Sequence, residues 1–312
     1  MTCFDEMVER GSRARRDLMW TQRFDLHSHS TNSDGQHEVA YVAELMRQQG
    51  VNVWALTDHD TTNGWEQAAF EASSRGIQFV PGVEITCTPA CPPMPEILEA
   101  QGRERASSSW HLLAYFPQHN PAMRDESIDA FKQWLMPRQL GREPRMRLMC
   151  KRLEALGMPV NIEKVLARAD GSVGRPHLAE EMVKLGYVQT KQQAFEQWLG
   201  DGLPAFVAHE KPTIAEAVEA VKSAGGFTSL AHPVYYGVDV TVLMNTLQNL
   251  GVDAVEAVHR SHADMYRYAL MKAAEDRQMG ITVGSDFHGL DYQQHPGCMP
   301  VMLDALHPML TE

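Results

Sequence analysis

The stretch Arg23-Phe24-Asp25-Leu26-His27-Ser28-His29 places two histidines at the end of a short apolar run. Residues two apart on an extended strand point to the same face, so His27 and His29 can serve one ion. Three other apolar runs end in the same way: Val53-Trp54-Ala55-Leu56 precedes Asp58-His59-Asp60, Phe79-Val80 precedes Gly82-Val83-Glu84, and Ile281-Thr282-Val283 precedes Ser285-Asp286-Phe287-His288. Barrel enzymes carry their chemistry at strand ends. The sequence therefore predicts one mouth lined with metal-capable side chains.

Apolar, β-branched segments with Gly, Pro or polar flanks predict seven buried strands, near residues 23–27, 52–57, 77–81, 110–116, 226–231, 252–258 and 280–284. Helical patterns lie between several of them, including an apolar stripe after Asn63 and a capping box at Thr213-Ile214-Ala215-Glu216. Alternation of strand and helix indicates parallel pairing and an α/β fold.

The middle of the chain interrupts this alternation. Between about residues 120 and 212 we find helical patterns only, among them one at Ile128–Leu135 and another at Met149–Leu156. We therefore divide the chain into 1–117, an all-helical insertion over 118–212, and 213–312. The segment 89–109 is rich in Pro, Glu and Ser, which predicts a surface loop.

Composition narrows the class of protein. With 312 residues and 44% hydrophobic content, the chain can bury a large core. It has no run of about 18 apolar residues and no signal-peptide pattern at its start, so we expect a cytoplasmic protein without a membrane segment. The net charge of −12 argues against a broad surface for duplex DNA, although bound metals would still allow a phosphate-bearing substrate.

The cysteines predict neither a disulfide framework nor a thiolate zinc site. They are odd in number and widely spaced: Cys3, Cys87, Cys91, Cys150 and Cys298. Cys87 and Cys91 form the one local pair, and no second pair completes a metal site.

Nine imidazoles and carboxylates are candidate metal ligands. They are His27, His29, Asp34, His59, Glu84, His111, His232, Asp286 and His288. Taken singly, a strand-end histidine is often structural, and Asp34 in Ser33-Asp34-Gly35 could simply form a turn. Together, mixed nitrogen and oxygen donors suit Mn²⁺, Fe²⁺ or Zn²⁺ better than Ca²⁺ or Mg²⁺. Nine ligands exceed the need of one ion, which indicates two or three metals sharing a carboxylate.

The ordered set of motifs resembles the PHP (polymerase and histidinol phosphatase) family of metal-dependent phosphoesterases. The likeness rests on His27-Ser28-His29-Ser30, Ser33-Asp34-Gly35, Thr57-Asp58-His59-Asp60, Pro81-Gly82-Val83-Glu84, Ala231-His232-Pro233 and Ser285-Asp286-Phe287-His288. It points to the branch that contains nucleoside 3',5'-bisphosphate phosphatases and 5'-to-3' exoribonucleases. The resemblance implies a hydrolase with an α/β fold, a distorted seven-stranded β/α barrel carrying the helical insertion as a substrate cap.

The resemblance also implies how the ligands divide. His27, His29, Glu84 and Asp286 would hold a first ion, and Glu84 would bridge to a second held by His111 and His232. Asp34, His59 and His288 would hold a third. The expected cation is Mn²⁺, with Fe²⁺ or Zn²⁺ as alternatives, and His232 could instead contact phosphate.

Arg175 and His177, in Gly174-Arg175-Pro176-His177 of the insertion, are predicted phosphate contacts. The alternative is an ordinary helix start with Pro at its first turn. The other histidines and Lys211 rank lower. His209, Lys211, His259 and His262 are predicted to be solvated or second-layer residues, and His37, His119, His295 and His307 to be incidental.

The implied reaction removes the 3'-phosphate of a nucleoside 3',5'-bisphosphate, such as adenosine 3',5'-bisphosphate, through a metal-bridging hydroxide. Short 5'-phosphorylated RNA, degraded in the 5'-to-3' direction, is a further expected substrate. Two alternatives stay open: a small-metabolite phosphatase such as a histidinol phosphatase, and a non-catalytic PHP module. The complete ligand set disfavours the module. The sequence carries no signal for oligomeric state.

Overall fold

The structure, a computed structural model, describes residues 20–21, 23–168, 172–290, 295–297 and 299–311. These ranges do not include Cys3, Cys298 or most of the start of the chain, where no signal-peptide pattern was found. Within them, Cys87, Cys91 and Cys150 are free thiols. None of the helices in these ranges is long and apolar enough to span a membrane.

Seven strands form a nearly closed barrel, as predicted. The described residues contain nine strands in all: β1 (Trp20–Thr21), β2 (Phe24–Asp25), β3 (Val53–Leu56), β4 (Gln78–Cys87), β5 (Trp110–Tyr115), β6 (Phe227–Leu230), β7 (Ala254–His259), β8 (Gly280–Gly284) and β9 (Val301–Met302). Strands β2 to β8 pair in chain order, while β1 and β9 form a separate antiparallel pair. The amide of Leu26 donates to the carbonyl of Val283 at 3.0 Å, which brings β2 back to β8.

Strand β5 departs from the prediction of parallel pairing, because it runs antiparallel to both β4 and β6. The chain leaves β4 and enters β5 at the same barrel end, through a segment with only the short helix Pro95–Ala100. A parallel strand would need a crossover along the barrel, usually a longer helix. As a result, His111 at the start of β5 lies at the same end as residues that follow the parallel strands.

The helices cover the barrel and build the insertion. They are α1 (Val39–Gln48), α2 (Trp65–Ser74), α3 (Pro95–Ala100), α4 (Glu126–Ala155), α5 (Ile162–Leu166), α6 (Arg175–Lys184), α7 (Lys191–Ala194), α8 (Ile214–Ser223), α9 (Val240–Asn249) and α10 (Asp264–Glu275), and a π-helical turn follows α7 at Phe195–Leu199. Helix α3 lies within the predicted surface loop. Helix α8 begins with the predicted capping box, since Thr213 and Glu216 exchange hydrogen bonds.

Helix α4 joins two regions that the sequence pattern separates. Its 30 residues continue through Pro137 and Pro144, where two separate helices were expected. Its first part packs Ile128, Phe131 and Leu135 into the barrel core, and its last part packs Met149 and neighbours into a second core within the insertion. Apolar burial at both ends of the helix offsets the cost of the backbone hydrogen bonds that the two prolines remove. The middle of α4 therefore crosses the barrel rim.

Candidate metal centre

The nine predicted ligands converge at one end of the barrel. His27 and His29 follow β2, His59 follows β3, His232 follows β6, and Asp286 and His288 follow β8. Glu84 lies within β4, and His111 reaches the same end because β5 is antiparallel. The turn that carries Asp34 is shaped by Asp58, which accepts hydrogen bonds from the Ser30 amide and from the Ser30 and Ser33 hydroxyls at 2.6–2.8 Å.

Glu84 is the centre of the cluster. Its Oε2 lies 3.2 Å from His27 Nε2, 3.1 Å from His29 Nε2 and 3.2 Å from His59 Nδ1. Its Oε1 lies 2.8 Å from His111 Nδ1 and 3.0 Å from His232 Nε2. One buried carboxylate thus faces five imidazoles, an arrangement suited to a carboxylate shared between cations.

Within the described residues, three groups of side chains each bring their donor atoms within 4.8 Å of one another. The groups are His27, His29, Glu84 and Asp286; His59, Glu84 and His111; and His29, Asp34, His59 and His288. His232 is in none of these groups, although its Nε2 contacts Glu84. Any two of the groups have one residue in common, which is Glu84, His29 or His59, so neighbouring sites would have ligands in common.

The donor atoms themselves indicate that a cation belongs here. His27 Nε2, His29 Nε2, His59 Nδ1, Asp34 Oδ1 and Glu84 Oε2 are buried and have no hydrogen-bond partner in the described part of the chain. Unpaired buried polar atoms are costly unless a ligand satisfies them. Mixed imidazole and carboxylate donors match the preference of first-row transition metals. The residues therefore fit the cations that the sequence predicts.

The electrostatics of the centre also favour a bound cation. Burial raises the pKa of Glu84, but the facing imidazoles of His59 and His27 outweigh it and hold that pKa well below its usual range. Burial by itself would lower the pKa of His29, but the contacts of its ring with Asp286 and Glu84 raise that pKa to about 10. A proton on His29 then balances the carboxylates in the metal-free protein, and a metal would displace it.

The two predicted phosphate contacts lie in different surroundings. His177, buried in the first turn of α6, accepts a hydrogen bond at Nδ1 from the Gly174 amide at 3.0 Å. Burial lowers its pKa, with Asp34 among the charges that oppose the shift. Arg175 instead pairs with Asp201 at 2.7 Å and donates to the Leu199 carbonyl at 3.2 Å. The structure brings His177 near the metal-ligand group and ties Arg175 within the insertion.

Arg142 is a residue at this site that the sequence reasoning missed. Its Nε donates to Asp60 at 3.0 Å, and its Nη2 contacts both Asp60 and Thr86. A Cβ on Gly174 would lie 3.7 Å from Asp34 and 3.9 Å from Arg142 Nη1, so Arg142 and Asp34 flank the same glycine. In sequence, Arg142 is one of many charged residues of a long helix, and no local signal distinguishes it.

The lower-ranked residues are mostly held within the protein. His259 is fully buried and its Nε2 lies 3.5 Å from Asp286 Oδ2, while His262 is buried against the Ala257 carbonyl. Lys211 donates to Ser109 Oγ at 2.7 Å. His209 packs against Gly141, where an added Cβ would lie 2.8 Å from its ring. His259 therefore lies behind Asp286, and the His262 ring packs against His259.

Comparisons with known proteins agree with this geometry. Residues 25–139 match the PHP domain. A 5'-3' exoribonuclease of Haemophilus influenzae is 33% identical over 272 residues, covering 86% of this chain and 90% of that protein. A 3',5'-nucleoside bisphosphate phosphatase of Chromobacterium violaceum is 30% identical over 271 residues, covering 85% and 86%. A solved metal-dependent phosphoesterase from Bifidobacterium adolescentis superimposes with a TM-score of 0.75 at 27% identity, covering 92% and 95%.

Proposed function

This chain belongs to the PHP family and is a metal-dependent phosphoesterase, and we propose that it removes the 3'-phosphate of nucleoside 3',5'-bisphosphates. We propose that short RNA with a 5'-phosphate is a second substrate, degraded from its 5' end. Relatives that cover most of the chain carry both activities in their names. We further propose Mn²⁺ as the cation, in two or three sites formed by Glu84 and the other eight predicted ligands.

A group of basic side chains, which adjoins the predicted ligands at Arg142, supports the choice of substrate. It consists of Arg142, Arg145, Arg175 and Lys211, and we name it the basic group. Burial, with Arg175 and Arg142 nearby, lowers the pKa of Arg145 to about 10. Arg145 donates to the Val207 carbonyl at 2.7 Å and has no carboxylate partner among the described residues. Asp60 and Asp201 pair with Arg142 and Arg175, which leaves a surplus of positive charge for a second phosphate.

The same observation disfavours histidinol phosphate, which has one phosphate and a cationic amine. A surplus of positive charge next to the metal-ligand group would repel that amine. A nucleotide with phosphates on both sides of its ribose places one near the Glu84 cluster and offers the other to the basic group.

Residues of this chain take defined parts in the reaction. Bound cations would activate water and offset charge on the phosphoryl oxygens. His177 Nδ1 accepts a hydrogen bond from the Gly174 amide, so the proton of the neutral ring is on Nε2. This Nε2–H group can donate a hydrogen bond to a substrate oxygen. Asp60 holds Nε and Nη2 of Arg142, which leaves Nη1 on the side of Gly174. The insertion, over 118–212, would cover the substrate and exclude water.

A comparison of substrates tests the proposal. The Mn²⁺-loaded protein should hydrolyse adenosine 3',5'-bisphosphate and 5'-phosphorylated short RNA and leave histidinol phosphate nearly intact, measured by phosphate release and gel analysis. Arg145→Gln should raise KM for the bisphosphate by about 10-fold or more, as expected for a lost charged hydrogen bond, and change KM for adenosine 3'-monophosphate far less.

Arg147→Gln is the matched control for this test. Arg147 lies one half-turn along the same helix, is 42% exposed and pairs with Glu143 and Glu163, so its loss should leave both KM values unchanged. Turnover of histidinol phosphate alone would refute the proposed substrate, and an equal KM change for both nucleotides in Arg145→Gln would refute the role of the basic group.

A further inference from the structure

Strand β7 contributes no side chain to the three ligand groups, although its neighbours β6 and β8 lead into His232, Asp286 and His288. All six of its residues are buried, and they include Glu256 and His259. A buried carboxylate within an apolar strand requires specific partners. The partners of Glu256, and of Arg260 just beyond the strand, are the predicted metal ligands.

Glu256 holds two of these ligands at once. Its Oε1 accepts a hydrogen bond from His27 Nδ1 at 2.9 Å, and its Oε2 accepts one from the His232 amide at 2.7 Å. With Nδ1 donating to Glu256, His27 presents Nε2 toward Glu84 Oε2 and Asp286 Oδ1, at 3.2 and 3.4 Å. His232 has φ 28°, a left-handed conformation that a non-glycine residue keeps only when its surroundings hold it.

Arg260 holds a third ligand. Its Nη1 donates to the Asp286 carbonyl at 2.8 Å, and its Nη2 donates to Asp286 Oδ2 at 3.2 Å. His259 Nδ1 accepts a hydrogen bond from the Ser261 amide, and His259 Nε2 lies 3.5 Å from the same Asp286 oxygen. Asp286 Oδ1 faces the other way, 3.4 Å from the Nε2 atoms of both His27 and His29. One oxygen of Asp286 is thus engaged by the protein, and the other is directed into the centre.

We propose that β7 is a positioning strand: Glu256 within it and Arg260 just beyond it orient His27, His232 and Asp286 for metal binding without contacting the metal. This inference rests on the metal centre proposed above. Partners behind a metal ligand fix its tautomer and orientation, and their loss typically weakens metal affinity 10- to 100-fold. The three contacts connect strands β2, β6 and β8, so one strand sets the relative placement of ligands that are far apart in sequence.

Metal binding by the full-length protein tests the inference. Titration of the metal-free protein with Mn²⁺, followed by calorimetry, should give a 10- to 100-fold weaker tightest site in Glu256→Gln and in Arg260→Gln. Nitrogen NMR of histidine-labelled, metal-free protein, with His27→Gln used for assignment, should show that the His27 Nδ1 resonance shifts in Glu256→Gln, because its hydrogen bond to a carboxylate is lost. Activity in both variants should recover largely at high Mn²⁺, since the reacting groups remain.

Arg267→Gln is the control, because Arg267 donates to the His259 carbonyl at 3.0 Å and contacts no predicted ligand. Its Mn²⁺ affinity should match the wild type. If Glu256→Gln does not fold, Arg260→Gln at the end of the strand carries the same test. Wild-type affinity in both variants would overturn the inference. If both variants bind Mn²⁺ more weakly but the wild type releases no phosphate from nucleotides, the proposed function is overturned and the inference about β7 stands.

Discussion

Gly284, the last residue of β8, makes the contact between β7 and His27 possible. A Cβ at this position would lie 2.2 Å from His27 Cβ, 2.6 Å from Glu256 Oε1 and 3.0 Å from the His27 amide nitrogen. Carbon atoms that are not bonded to each other prefer separations of about 3.5–4.0 Å. Gly284→Ala therefore requires β2 and β8 to move apart by more than about 1 Å, or His27 to leave its place beside Glu256.

Two effects of this substitution follow. Overpacking of a tight interior costs about 1–3 kcal/mol, so the free energy of unfolding should fall by that amount and the melting temperature by several degrees. Displacement of His27 from Glu256 should weaken Mn²⁺ affinity by about 10-fold or more, as expected for a lost partner behind a ligand. Urea unfolding of the metal-free protein gives the first quantity, and Mn²⁺ titration gives the second.

Gly226→Ala is the matched control. A Cβ on Gly226 would lie 2.7 Å from both a ring carbon of Phe116 and the Tyr115 carbonyl, at the barrel end opposite the metal centre. This variant should lose comparable stability and keep its Mn²⁺ affinity. The reasoning is refuted if Gly284→Ala binds Mn²⁺ as tightly as the wild type, or if the two variants lose affinity equally.

Two further predictions concern the metal and the pH. Chelation should lower the melting temperature, and added Mn²⁺ should restore it, because cations at 100 times their Kd stabilise the folded state by about 2.7 kcal/mol. An unchanged melting temperature after chelation would contradict metal binding at Glu84. Burial lowers the pKa of His262 to about 3. Below pH 6.5 the unfolded chain therefore binds a proton at this residue that the folded chain does not bind. The free energy of unfolding should fall as the pH falls from 6.5 toward 3. His262→Gln removes this loss. Between pH 7 and 5 the chelated wild type should therefore lose about 2 kcal/mol more than the variant in urea unfolding, and equal losses would contradict the prediction.

The strand positions and the chemical types of the ligands could be predicted from sequence because both are local. A buried strand is a short apolar run, and a ligand such as His59 directly follows the run that positions it. The resemblance to a known family then supplied the barrel and the division of ligands. The same reasoning failed for α4, because its continuity through two prolines depends on two separate cores that no local window contains.

Tertiary structure alone decided which side chains meet. Glu84 reaches His111 because β5 is antiparallel, a direction that strand and helix patterns do not specify. Glu256 was detectable as a lone carboxylate in an apolar strand, but its partners lie 24 and 229 residues away. Local sequence determines what a residue can bind, whereas the closure of the barrel determines what it does bind. The paired histidines after β2 and the strand β7 were both visible in the sequence, and the contact of Glu256 with His27 was not.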